Sequence, residues 1–115
     1  MKTVWVLEET LPEHHETDYR TTLNGVYGSI NAGATAFLKL IEYHLAIADY
    51  DMTKDILDHK DEDHEWFLGY GHDVVDGVLQ IKLGALKKSM QEHRCASVGW
   101  DDFNQCVSIR EVEVQ

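Results

Sequence analysis

Positive charge is scarce in this chain. Ten lysines and arginines stand against twenty-one aspartates and glutamates in 115 residues, for a formal net charge of -11. Such a balance repels nucleic acid and anionic membrane surfaces at long range, and favours a basic protein as partner. Cysteine is nearly absent: Cys95 and Cys106 are too few for a disulfide framework, and neither sits in a Cys-x-x-Cys motif, so reduced thiols are expected. Proline occurs once, at Pro12, and 43% of the residues are hydrophobic, which excludes disorder as the default state. No charged leader followed by an apolar run opens the chain. No apolar stretch approaches the roughly twenty residues that span a bilayer, so a soluble, cytoplasmic protein is expected. Also missing are a Gly-x-Ser-x-Gly elbow, a phosphate-cradling glycine loop, a dinucleotide fingerprint and a His-Glu-x-x-His zinc motif.

What is present suits one domain over residues 1–115, long enough to bury a core. Lys2 to Glu9 is rich in β-branched and aromatic residues and predicts a strand in the middle of a sheet. The polar run from Glu13 to Asp18 predicts a loop. A second strand follows from Arg20 to Tyr27, with Asn24-Gly25 marking a bulge or strand end inside it. Ser29 is a suitable N-cap for a helix over 30–48, whose residues Ile30, Ala34, Phe37, Leu38, Ile41, Leu45 and Ala48 repeat at three and four. Further helices are expected over 51–66 and 73–93, the latter on the line Val75, Leu79, Leu83, Leu86 and Met90, although Leu79, Ile81 and Leu83 also fit a short strand. Residues 94–105 predict a turn-like linker, and Val107 to Val114 a closing strand beside the first. The fold class expected is therefore α+β, a small mostly antiparallel sheet with helix 30–48 packed on it.

The charge is also segregated. Residues 51–76 hold nine acids and two lysines, whereas 77–97 hold one acid and four basic residues. Within the acidic segment, Asp51, Asp55, Asp58, Glu62 and Glu65 recur at helical steps and draw one stripe, with Asp61 and Asp63 beside it. Met52, Ile56 and Trp66 flank the stripe and would hold the helix to the body. A solvated helix face is the plain reading. The sharper one is a partner-binding face: carboxylates about one helical turn apart, roughly 5 Å, approach the phosphate spacing of a nucleic-acid strand and would fill the Lys/Arg cleft of a basic nucleic-acid-binding protein. A metal site is the third reading, drawing on Asp55, Asp58, His59, Asp61, Asp63 and His64 with help from His72 or His14 and His15. The run lacks the glycine and spacing of a calcium-binding loop, and His59 and His64 diverge on a regular helix. No cofactor is expected.

Val4-Trp-Val-Leu-Glu-Glu9, Leu23-Asn-Gly-Val-Tyr-Gly-Ser29 leading into a helix, and Ser108-Ile-Arg-Glu-Val-Glu-Val114 together resemble small phage and bacterial α+β proteins of uncharacterised function. The resemblance covers about half the chain and its motifs are structural, so it implies an accessory protein without assigning catalytic residues. Combined with the stripe, it implies a non-enzymatic, phage-encoded inhibitor of a host defence nuclease, anti-CRISPR-like in its manner of action. The alternatives are a small metal-dependent enzyme using residues 55–72, and a homo-oligomeric accessory domain whose closing strand pairs edge to edge with a second copy.

Overall fold

The computed structural model describes residues 2–13, 18–58, 71–101 and 104–115. The architecture is α+β, as expected. Four antiparallel strands stand in the order β2-β1-β6-β5, where β1 is Lys2–Pro12, β2 Tyr19–Tyr27, β5 Cys95–Trp100 and β6 Gln105–Val114. The first strand is central, hydrogen-bonded to β2 on one side and β6 on the other. Side chains alternate across a strand, so Trp5 and Leu7 of β1, Ala96, Val98 and Trp100 of β5, and Val107 and Ile109 of β6 share one face and are all buried. Asn24 is the bulge: Leu7 faces Gly25 and Glu8 faces Leu23, leaving Asn24 without an opposite residue.

Helix α1 (Ile30–Ile47) covers that buried face. Ser29 caps it in extended conformation, its Oγ accepting from the Ala32 N–H at 3.1 Å. Ala34, Phe37 and Ile41 enter the core, while Lys39 and Glu42 are exposed as the periodicity requires. Gly33 allows the close approach. A Cβ there would stand 2.9 Å from Ile109 Cδ1 and 3.1 Å from Trp5 Cβ.

Helix α2 (Met52–Asp58) follows a bend at Asp49 and Tyr50 and buries Met52 and Ile56, as the stripe's flanks predicted. Residues 59–66 of the expected helix, with Trp66, lie outside the described residues. The stretch 73–93 is not one helix. It forms a hairpin, β3 (His72–Val75) and β4 (Val78–Ile81), and then a helix, α3 (Leu83–His93). The cause is Asp76-Gly77, whose positive φ values of 52° and 79° make a two-residue turn of the kind that suits strand twist, flanked by β-branched residues. Leu79 points inward on β4, and its N–H donates to Thr53 Oγ1 of α2 at 2.9 Å, tying the hairpin to the body.

The expected linker at 94–105 is also corrected. Arg94 ends α3 in left-handed conformation, and residues 95–100 are strand β5. In Cys-Ala-Ser-Val-Gly-Trp the inward positions are Ala96, Val98 and Trp100, and the small or polar outward ones conceal the alternation. As a result β6, though last in the chain, is interior to the sheet. The outer strands are β2 and β5, so the edge-to-edge pairing expected of the closing strand is closed off along Gln105–Arg110. No described helix is long and apolar enough to cross a membrane.

Candidate partner-binding site

The inward lines of α1 and β1 each carry one polar residue. Phe37 and Ile41 are followed one step later by His44, and Trp5 and Leu7 by Glu9. Those two meet: His44 Nε2 lies 2.9 Å from Glu9 Oε2, with the side chains 8% and 18% exposed. The imidazole also lies against Trp100, ring centroids 5.1 Å apart. Beside this pair a cavity of about 330 Å³ opens between the end of α1 (His44, Ile47), the bend Asp49-Tyr50, Met52 of α2, and Trp100 and Gln105 of the β5–β6 turn.

One run of hydrogen bonds fastens the mouth. Asp55 Oδ2 accepts from Tyr50 Oη and from the Asp101 N–H, each at 2.9 Å. The Asp101 carboxylate accepts from Gln105 Nε2 at 3.3 Å, and Gln105 Oε1 accepts from Trp100 Nε1 at 3.2 Å. Asp101 holds a φ of 57°, a left-handed conformation that an aspartate tolerates better than most residues. The phenol of Tyr50 is pushed well above its ordinary range by burial first, then by its bond to Asp55 and by the charges of Asp55, Asp101 and Asp49. Burial and the three neighbouring carboxylates thus act in the same direction, against a phenolate at this position.

Three stripe residues are described. Asp51 starts α2, its Oδ1 accepting from the Lys54 N–H at 3.1 Å. Asp55 is half-buried and serves as the fastener just described, and Asp58 is exposed and bonded to the Lys54 ammonium. Lys54 is held above the ordinary lysine range, chiefly by that bond and by the Asp58 charge, with Asp51 and Asp55 adding to it. The stripe thus contains its own cation. Glu62, Glu65, Asp61 and Asp63 lie outside the described residues, as do His14, His15, His59 and His64. Among the described residues no three His, Cys, Asp or Glu side chains converge as a metal-ligand set. Cys95 and Cys106 are unpaired by disulfide.

Sequence reasoning placed Asp51, Asp55 and Asp58 on one side of a helix but missed Asp49, Asp101, Tyr50 and Trp100. Only the pairing of β5 with β6 brings Asp101 and Trp100 to α2, and that pairing joins segments with no local signal for each other. Compared with protein-family models, with curated proteins and with solved structures, the chain matches none.

Proposed function

We propose that this chain is a non-enzymatic binding protein whose acidic end occupies the nucleic-acid-binding surface of a basic partner protein. The observation that carries the reading is convergence. Asp49 from the bend lines a cavity with Tyr50, Trp100 and the apolar Ile47 and Met52, and Asp55 of α2 and Asp101 of the β5–β6 turn converge on Tyr50 at its mouth. An apolar stem, an aromatic rim and nearby carboxylates together suit a lysine or arginine side chain. A net charge of -11 steers a cationic partner toward it. The partner class is a nucleic-acid enzyme, and the resemblance of the strands and helix entry favours a phage-encoded inhibitor of a host defence nuclease.

Asp55 and Asp51 have structural duties, so the informative substitutions are at Asp49, Asp58 and Lys54. Immobilised chain should retain a basic nucleic-acid-binding protein from host lysate at low salt and release it as salt rises, and nucleic acid should compete for the captured protein. Asp49→Lys and Asp58→Lys should weaken that complex, and Lys54→Gln, which removes the internal cation, should strengthen it. Equal affinity across all three variants would sink the proposal.

A further inference from the structure

All the described helices pack on one face of the four-stranded sheet, leaving the other face bare among the described residues. Its outward side chains follow from the register. Val6 is paired with Val26 and Val4 with Val112, while Leu23 and Val114 extend the same surface. Val26, Leu23 and Val114 are exposed at 53%, 64% and 44%, and Val4, Val6 and Val112 are not among the residues that pack against the core. A contiguous apolar patch of this kind on a solvent face marks an interaction surface.

The charge on this face identifies its occupant. Of the twenty-one acids in the chain, the outward positions of the four strands carry Glu8 alone, and Glu8 accepts from Arg110 Nε at 3.1 Å across the same face. Lys2 is the other charged residue there. A face with two cations and one acid stands on a molecule of net charge -11. The basic partner proposed above is drawn to the opposite chemistry, at the cavity end. Two copies of this chain repel through every acidic surface, and the bare face is where they can meet without that repulsion. Four strands about 4.8 Å apart and roughly nine residues long at about 3.3 Å each present about 600 Å². Two such faces exceed the roughly 1,000 Å² that a specific interface needs.

We infer that a second copy of this chain packs on the open face, sheet against sheet, to form a two-fold dimer centred on Val4, Val6, Val26 and Val112. The geometry is that of a β-sandwich cut in half, with each patch its own complement. The Glu8–Arg110 pair of one copy then comes near its symmetry mate.

Light scattering and sedimentation across a concentration series test this, with circular dichroism to monitor the fold. The wild-type chain should dimerise, and more tightly as salt rises, because screening relieves the repulsion between acidic copies. That response is opposite in sign to loss of the basic partner, so the two proposals fail separately. Val6→Glu should weaken the dimer by about tenfold or more, since each substitution acts twice across the axis and takes out of water a carboxylate whose one cationic neighbour, Arg110 opposite it on β6, is already bonded to Glu8. Val26→Glu, at an exposed position, gives the same readout if Val6→Glu does not fold. A monomer at every concentration overturns the inference, and so does a dimer that survives either folded variant.

Discussion

Replacing one glycine with alanine should have opposite effects at two helical positions, and the difference measures how closely α1 lies on the sheet. At Gly84 in α3 an added Cβ meets nothing within 4 Å. Gly84→Ala therefore removes only the glycine penalty, stabilising the protein by up to about 1 kcal/mol, and less if its position in the first turn reduces the effect. At Gly33 the same propensity gain of up to about 1 kcal/mol is opposed by overlap. The new methyl carbon would stand 2.9 Å from Ile109 Cδ1 and 3.1 Å from Trp5 Cβ, where carbon atoms ordinarily rest about 3.5–4.0 Å apart. Trp5 Cβ moves only with strand β1, and Ile109 is wholly buried, so neither yields cheaply. Overpacking of this kind costs about 1–3 kcal/mol. The net for Gly33→Ala is then a destabilisation of up to about 2 kcal/mol, and Gly33→Val should be worse. Urea unfolding followed by tryptophan fluorescence reads both, provided the slope of free energy against urea is unchanged. If Gly33→Ala raised the midpoint as much as Gly84→Ala, the close approach of α1 to β1 and β6 would be refuted.

Two further outcomes follow from the hydrogen bonds. Thr53→Val keeps the shape of the buried side chain but leaves the Leu79 N–H without its acceptor, which should cost about 1–3 kcal/mol. Native-state hydrogen exchange at Leu79 should quicken accordingly, and an unchanged rate would mean the hairpin is held by packing alone. The raised pKa of Tyr50 means that the fold favours its protonated form. The resulting stability is fully present below the ordinary phenolic value of about 10 and is lost as pH climbs through the folded value. The native chain should therefore show a late phase in phenolate absorbance. A late phase that persisted in Tyr50→Phe would contradict the assignment.

Long, regular signals in the sequence translated directly into structure. The line Ile30, Ala34, Phe37, Ile41 and Leu45 runs nearly the whole length of α1, and a helix of that length cannot satisfy it any other way. The Asn24-Gly25 signal became a bulge because the alternation around it continued on both sides. The hairpin was hidden because Val75, Leu79, Leu83, Leu86 and Met90 keep a helical step by coincidence across an Asp-Gly turn. Turn chemistry decided against the period there. Strand β5 escaped notice because its outward residues are cysteine, serine and glycine, which carry little β signal, and its inward set includes an alanine. At the candidate site, His44 and Glu9 each look like a polar residue interrupting an apolar line, and only the packing of α1 across β1 shows that they face each other. Asp55 was legible as an acid on a stripe. Its second role depends on Asp101, which reaches α2 through a strand pairing that no local pattern encodes.

The sheet's central pair joins the first strand to the last, and Glu8 meets Arg110 across a sequence separation of 102. During synthesis β1 emerges early, and its partner β6 follows after about 5–20 s at ordinary elongation rates of about 5–20 residues per second. Through that interval β1 can pair only with β2, and its other edge, bearing Trp5 and Leu7 on the future core side, remains open to any passing strand. The rate of translation and the availability of chaperones should therefore govern how much of this protein a cell recovers in folded form.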